Sequence, residues 1–326
     1  MQGLTECTPV KILVIGTGGT IAGVSQNSIT DYRSGETMIG DVMDRIKASP
    51  SFCVDENNVK ISTIDLFNKN SDDITLSDLI KLTELINSYD NNDTFDGFIV
   101  THGTDTMEES SFFLSLALYT KKPVILTGSM IPGDDPDSDC IPNMAGAVTA
   151  MTDLVKEKMN GSGSTDHCSN VYLFFNGKLM NGSCIRKTST NSLDCFEEYP
   201  EEIIGLHNKI SHSDISSKLA GLVSFPSIPI IPFSIEADPG VVDYYVNQGV
   251  AGMIIAGAGA GEMSIEFIDR IRQFKEKHIP VIRTSKIKKG PVNDNGTLNS
   301  ITINGGCVSP EKAAILLRVI LAINNA

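Results

Sequence analysis

The chain has 326 residues, about twice the length of a typical domain, and 41% of them are hydrophobic, so two domains with separate cores are expected. Its formal net charge is −14, from 40 acidic and 26 basic residues. This balance disfavours a nucleic acid partner, because phosphate backbones are bound mostly by lysine and arginine. No stretch approaches the roughly 18 consecutive apolar residues of a membrane span, so no membrane partner is expected either.

Seven scattered cysteines, odd in number and without a C-x-x-C pair, indicate neither a zinc site nor a disulfide framework. Free thiols fit a reducing compartment. The first residues also lack the basic and apolar regions of a signal peptide. The sequence therefore predicts a cytoplasmic protein.

The first part of the chain alternates short apolar runs with amphipathic segments, which is typical of a mostly parallel sheet flanked by helices. Apolar residues spaced at close to 3.6 indicate a helix over Thr75–Tyr89, and Thr75-Leu76-Ser77-Asp78 at its start is a weak variant of a capping box. Helices are also predicted over Met107–Leu118 and Met144–Lys158. The predicted strands are Lys11–Ile15, Val59–Ile64, Phe95–Thr101, Pro123–Thr127 and Asn170–Phe175.

The alternation stops after Lys187, and the polar stretch up to Lys218 indicates a linker. We predict an N-terminal α/β catalytic domain over residues 1–205, a linker over 206–218 and a smaller C-terminal α/β domain over 219–326. The C-terminal elements are predicted as strands Leu219–Phe225, Gly252–Ala256 and Val281–Thr284 and helices Val241–Asn247, Ser264–Lys277 and Pro310–Ile323.

Two turns that follow predicted strands contain the residues of chemical interest: Gly16-Thr17-Gly18-Gly19-Thr20 and Thr101-His102-Gly103-Thr104-Asp105. Active sites of α/β folds assemble outside the carboxyl ends of parallel strands. Glycine lets the backbone approach a ligand closely, and a threonine hydroxyl can act as a nucleophile. We interpret the two turns as halves of one hydrolytic site built on threonine.

The residues alone allow other interpretations of these turns. The G-x-G-x-x-G dinucleotide motif needs a glycine where this chain has Ile21, so the match fails. Thr20 and Thr104 could each be a helix-capping hydroxyl. His102 fits a structural role better than that of a base, and no G-x-S-x-G sequence supports a Ser-His-Asp hydrolase.

Four segments occur in an order and spacing that narrow the choice: Thr20–Gly23, Thr101–Glu109, Thr127–Met130 and Arg186–Thr188. Together they resemble the bacterial-type L-asparaginases, the threonine-dependent asparaginase/glutaminase family, over essentially the whole chain. The resemblance implies an amidohydrolase that converts L-asparagine to L-aspartate and ammonia through a threonine acyl-enzyme. Glutamine, longer by one methylene, is the candidate secondary substrate.

The resemblance also implies roles for individual residues. Thr20 is the nucleophile, Tyr32 lies on the mobile loop that closes over the substrate, and Thr104, Asp105 and Lys187 form a triad. Substrate contacts are implied for Gly19, Ser71, Asp72, Gly103 and Ser129. The oxyanion is expected to face backbone N–H groups and the Thr104 hydroxyl. Whether Lys187 is a base or an electrostatic anchor stays open, and no metal or organic cofactor is implied.

Some positions depart from the family pattern. Secreted bacterial members contribute a glutamate across the subunit interface from the loop that corresponds to Lys289–Leu298, which contains none here. We expect Asp72, where those members often have glutamine, to supply the missing charge, with Asp294 as the rival. Other usual residues are replaced by Ile131, Cys140 and Ala260.

The resemblance implies a homotetramer, a dimer of dimers with active sites between subunits. Two other functions stay open: a catalytically impaired member that binds or senses an amino acid, and an ammonia-producing subunit of a tRNA-linked amidotransferase. Relatives of the second kind usually carry an added N-terminal domain, whereas the first predicted strand here begins at about Lys11. Ammonia release from asparagine with and without Thr20 separates an enzyme from a binding protein.

Overall fold

The computed structural model describes residues 8–28, 31–33, 36–55, 57–160, 170–199, 212–222, 224–274 and 277–325. Two compact units are present, Met1–Glu198 and Tyr199–Ala326. The predicted linker over 206–218 lies in the second unit, and its last residues belong to the helix His212–Leu219. Among the described residues, no helix is both long enough and apolar enough to cross a membrane.

The strands of the first unit include every strand that the sequence predicts there. They are β1 (Val10–Gly18), β2 (Val24–Ser28), β3 (Asp31–Arg33), β4 (Val59–Lys69), β5 (Gly97–Thr101), β6 (Val124–Thr127), β7 (Val171–Phe175), β8 (Lys178–Asn181), β9 (Ile185–Lys187) and β10 (Phe196–Glu198). Six of them form one sheet in the order β4-β1-β5-β6-β7-β8. Within this sheet, all adjacent strands are parallel except β7 and β8, which are antiparallel. The pairs β2–β3 and β9–β10 are separate and antiparallel.

Helices cover this sheet, as the fold class predicts. They are α1 (Ile39–Lys47), α2 (Leu76–Asn91), α3 (Met107–Ala117) and α4 (Cys140–Met159). Apolar residues of α1 and α4 form one core with Ile12, Ile99 and Ile125 of the central strands. Leu13 and Phe98, which alternate with these residues along the strands, are equally buried. Burial of both faces explains why these strands are continuous apolar runs in the sequence.

The second unit is a smaller α/β layer, as predicted. Its elements are α5 (His212–Leu219), β11 (Ile230–Pro232), α6 (Gly240–Asn247), β12 (Met253–Gly257), α7 (Ile265–Phe274), β13 (Val281–Ser285), α8 (Gly296–Asn299), β14 (Ile303–Asn304) and α9 (Pro310–Asn325). The four strands are parallel in the order β11-β12-β13-β14.

One predicted strand of the second unit is wrong. None of the described residues of the run Leu219–Phe225 is in a strand, and Leu219 is instead the buried last residue of α5. The first strand of this sheet is instead β11, which ends in Pro232. Proline disfavours a strand in a sequence pattern, but β11 is an edge strand, where a missing N–H donor is tolerated.

The capping box predicted at the start of α2 is confirmed. Thr75 Oγ1 accepts from the Asp78 N–H at 3.2 Å, and the Asp78 carboxylate accepts from the Thr75 N–H at 3.0 Å. Lys69 Nζ, at the end of β4, donates to the same carboxylate at 2.6 Å. Burial raises the pKa of Asp78, but the hydrogen bonds from Lys69 and Thr75 outweigh it and lower the pKa to about 2. Asp78 therefore joins β4 to α2 across the loop between them.

We expect Asp78→Ala to lower the free energy of unfolding by about 1–2 kcal/mol at pH 7, through loss of the cap. Because its pKa is lower in the folded chain, the Asp78 carboxylate stabilises the fold at pH values above its ordinary pKa of 3.8. The difference in unfolding free energy between Asp78→Ala and wild type should therefore vanish as the pH falls towards 2. Urea denaturation across this pH range measures it. Asp73→Ala, at an exposed carboxylate in the same loop, is the control, and equal destabilisation by both changes would contradict the assignment.

Candidate active site

Thr20 lies just beyond the end of β1, where two glycines turn the chain. Gly18 and Gly19 have φ angles of 99° and 79°, in the left-handed region that favours glycine. Gly19 is the N-cap of a 3₁₀ turn, and Thr20 is the first residue of that turn. Thr20 is therefore not the capping residue that one interpretation of the sequence suggested. Its side chain is 7% exposed.

The turn that follows β5 packs directly against this one. A Cβ atom on Gly19 would overlap the backbone nitrogen of Gly103, and one on Gly103 would lie 2.8 Å from Ser71 Oγ. Thr17 Oγ1 donates to the Thr101 carbonyl at 2.6 Å and links the two turns a second time. The absence of a side chain at Gly19 and Gly103 thus lets the two turns and the loop that contains Ser71 pack closely against one another.

The three loops enclose a polar cavity of about 250 Å³. It is lined by Gly19, Thr20, Asn70, Ser71, Asp72, Gly103, Thr104 and Asp105. Seven of these eight were expected at the site from the resemblance. Asn70 was not among them, although its position next to Ser71 and Asp72 was a signal that could have found it. None of the eight is basic, and two are carboxylates.

Lys187, at the end of β9, joins the second of these turns. Its Nζ donates to Thr104 Oγ1 at 2.9 Å and to Asp105 Oδ1 at 2.5 Å. The Lys187 side chain is 15% exposed, whereas that of Asp105 is 74% exposed. The three residues of the expected triad therefore contact one another, although 82 residues separate Asp105 from Lys187 in the chain.

The hydrogen bonds around Thr104 and Gly19 constrain the expected oxyanion site. Thr104 Oγ1 accepts from Lys187, so its own hydroxyl proton is available to a different acceptor. The Gly19 N–H, by contrast, donates to the Lys69 carbonyl at 3.0 Å. Gly19 therefore contributes close backbone approach and not a free N–H donor.

Three expected site residues are not among the residues that line the cavity: Lys187, which is bonded to Thr104 and Asp105, and Ser129 and Tyr32. Ser129 is fully buried, does not line the cavity, and its Oγ has no hydrogen-bond partner among the described residues. The loop around it is held by Asp139, whose carboxylate accepts from the N–H groups of Met130 and Ile131 at 3.0 Å. The Tyr32 side chain lies outside the described part of the chain, and its backbone pairs with Ser25 in the β2–β3 hairpin.

His102, in the turn that follows β5, is fully buried. Burial lowers its pKa to about 4, with a smaller opposing effect from the Gly103 carbonyl, which lies 2.7 Å from Nδ1. A neutral imidazole must carry its proton on Nδ1 to make this bond, since a carbonyl only accepts. The Nε2 atom has no partner in the described structure. This environment suits the structural role inferred from the sequence.

Ala260, which departs from the family pattern, and Asp294, the rival candidate to supply the missing charge, lie in the second unit. The Ala260 carbonyl accepts from the Asn293 N–H at 3.0 Å and from the buried Arg283 at 3.5 Å. Asp294 accepts from the side chain of Asn299 at 2.5 Å. The carboxylate of Asp294 is thus engaged within its own unit.

Comparison with known proteins identifies the family. The N-terminal domain of asparaginases matches residues 11–217, and the C-terminal domain of glutaminases and asparaginases matches residues 227–326. The chain belongs to the asparaginase family. The resemblance seen in the four sequence segments is therefore confirmed, together with the two-domain fold and the expectation of an asparaginase-type enzyme.

Several relatives are similar along nearly the full chain. A probable periplasmic L-asparaginase of Haemophilus influenzae is 28% identical, over 95% of this chain and 88% of its own. A glutamyl-tRNA(Gln) amidotransferase subunit of Methanosarcina mazei is 30% identical, over 95% of this chain and 74% of its own. The crystal structure of a probable cytoplasmic L-asparaginase from Campylobacter jejuni superposes with a TM-score of 0.78 at 27% identity, covering 96% of this chain and 95% of its own.

Burial of neutral His102 predicts a pH-dependent stability. Its pKa of about 4 lies below the ordinary value of 6.5, so between these values the unfolded chain binds the proton more readily. The free energy of unfolding should therefore fall by up to about 3 kcal/mol as the pH decreases from 6.5 to 4. In His102→Gln this part of the pH dependence should disappear, as measured by urea denaturation at pH 7.5 and 4.5.

His278→Asn, at an exposed histidine, is the control for the loss of a histidine. We expect it to follow the wild-type pH dependence. If the His102 and His278 variants changed the pH dependence equally, burial of His102 would not be its cause.

Proposed function

We propose that this chain hydrolyses the side-chain amide of L-asparagine to L-aspartate and ammonia through a threonine acyl-enzyme. The observation that carries the proposal is the pair of threonine side chains, Thr20 and Thr104, on one small polar cavity, with Lys187 bonded to the second. Amide hydrolysis needs a nucleophile, proton transfer and a donor to the oxyanion. Membership of the asparaginase family and relatives named L-asparaginase support it further.

The reaction proceeds in two steps. Thr20 Oγ1 bonds to the amide carbon, its proton passes to the leaving nitrogen, the C–N bond breaks and ammonia departs. Water then adds to the ester carbon, the ester C–O bond breaks, and a proton returns to Thr20. The Thr104 hydroxyl, whose proton is not used by Lys187, is placed to assist at the reacting centre.

Lys187 acts as an electrostatic anchor in this proposal. Its Nζ donates to an oxygen of the Asp105 carboxylate and to the Thr104 hydroxyl. A group that donates to both partners holds the orientation of Thr104, which supports anchoring. In its ion pair with Asp105, the Lys187 ammonium has no lone pair, whereas a base would need one.

Recognition of a free amino acid follows from the charges of the lining. The carboxylates of Asp72 and Asp105 suit an α-ammonium group, while Ser71 offers a hydroxyl to the α-carboxylate. Asp72 is exposed at the cavity, which supports the expectation that it supplies the charge absent from the Lys289–Leu298 loop. One methylene separates asparagine from glutamine and is worth only about 1–3 kcal/mol, so glutamine remains the secondary candidate.

The alternatives from the sequence are less well supported. A binding or sensing protein has no need for two threonine side chains and a lysine bonded to one of them. Closure by Tyr32, a cytoplasmic location and a homotetramer with active sites between subunits remain part of the proposal.

We expect Thr20→Ala to lower the rate of ammonia release from asparagine by more than about 10³-fold, because Thr20 supplies the oxygen of the proposed acyl-enzyme. Thr20→Ser keeps a hydroxyl at the same position and should retain measurable turnover. Thermal unfolding of both variants checks that they are folded. Hydrolysis by Thr20→Ala at a near wild-type rate would falsify the assignment of the nucleophile.

Loss of the Asp72 charge should weaken substrate binding. We expect Asp72→Asn to raise the KM for asparagine by about 10-fold or more, since hydrogen bonds to charged groups contribute about 1.5–3 kcal/mol, with a smaller change in kcat. Asp73→Asn changes the neighbouring carboxylate, which does not line the cavity, and should leave KM unchanged. An unchanged KM in Asp72→Asn would rule out this contact.

A further inference from the structure

Glu108 holds the main chain of Lys187. It lies in the first turn of α3, three residues beyond Asp105, and its carboxylate accepts a hydrogen bond from the Lys187 backbone N–H. The two residues are 79 positions apart in the sequence. The contact therefore joins the start of α3 to the end of β9.

One short segment thus contacts Lys187 at both ends. Glu108 binds its backbone nitrogen, while Thr104 and Asp105 bind its Nζ. A free lysine side chain has many rotamers, and holding it in one of them costs conformational entropy. With its backbone and its ammonium both attached to Thr104–Glu108, the side chain has little freedom to direct Nζ elsewhere.

The surroundings of β9 explain why such an attachment is needed. β9 has three residues and pairs with β10, and in the described part of the chain it pairs with no strand of the six-stranded sheet. A two-stranded pair depends on packing against other elements for its stability, and here Ile185 and Phe196 are buried. Thr104 and Asp105, by contrast, directly follow the central buried strand β5. The Glu108 bond ties the more weakly supported element to the better supported one.

We propose that Glu108 is a positioning residue for the proposed hydrolysis, acting through the backbone of Lys187 to set where Nζ meets Thr104. The inference rests on the proposed function, because it requires that Lys187 contributes to turnover. A carboxylate in the first turn of a helix also stabilises the helix dipole. That effect depends on charge alone, whereas positioning depends on the reach of the acceptor oxygen.

Two conservative variants separate these effects. Glu108→Gln removes the charge but keeps a side-chain oxygen at the same reach, whereas Glu108→Asp keeps the charge and shortens the side chain by one methylene. We expect Glu108→Asp to lower kcat for asparagine by about 10–100-fold, the cost of misplacing a group near the chemistry by about 1 Å, with KM within about 3-fold. Glu108→Gln should keep kcat within about 3-fold of wild type.

Asp41→Asn is the matched control for a charge in the first turn of a helix, since Asp41 is exposed near the start of α1. It should leave kcat and KM unchanged. Thermal unfolding of every variant gives the change in stability separately. If Glu108→Gln lost as much kcat as Glu108→Asp, the charge and not the reach would matter, and the inference would be wrong.

A double-mutant cycle with Lys187→Met completes the test. Once Lys187 no longer has an amine to position, adding Glu108→Asp should lower kcat no further. An equal loss in both backgrounds would show a purely structural effect and overturn the inference. Full activity of Lys187→Met would overturn the proposed role of Lys187 and this inference with it. If Lys187→Met had low activity but Glu108→Asp kept the wild-type kcat, this inference would be wrong and the proposed function would stand.

Discussion

The close contact between Gly19 and Gly103 is the constraint on which the rest of the site depends. A Cβ at Gly19 would overlap the backbone of the other turn, and the φ angle of 79° at Gly19 already requires a residue without one. Because the two turns touch through their backbones, the side chains that follow them, Thr20 and Thr104, reach the same small cavity. Any larger residue at Gly19 would push apart the two turns that hold Thr20 and Thr104.

The site divides into a rigid part and an exposed part. Thr20 and Thr104 are 7% and 6% exposed and follow strands whose residues are almost all buried. Asp72 and Asp105, which carry the charge of the cavity, are exposed. This arrangement suits a reaction in which bond-making groups must be held within narrow limits. The carboxylates proposed to recognise the α-ammonium group of the substrate can act from exposed positions, because charge attraction tolerates small shifts in geometry.

Much of the fold was predictable, because the buried parallel strands and the amphipathic helices have strong local patterns. The capping box at Thr75 and Asp78 is of this kind, since its four residues determine it by themselves. The edge strand β11 was not predictable, because its proline, Pro232, contradicts a strand pattern and only the position of the strand at the sheet edge makes it acceptable. The end of α5 likewise depends on the burial of Leu219, which the local sequence does not show.

The sequence by itself determined the family and the fold class and named the residues proposed to supply the chemistry, because these residues lie in short segments at the ends of strong strand patterns. The tertiary structure alone decided how those residues use their hydrogen bonds. It bonds the N–H of Gly19 to the Lys69 carbonyl, buries Ser129, and joins Glu108 to Lys187. Such contacts link residues far apart in the chain, and local sequence patterns contain no record of them.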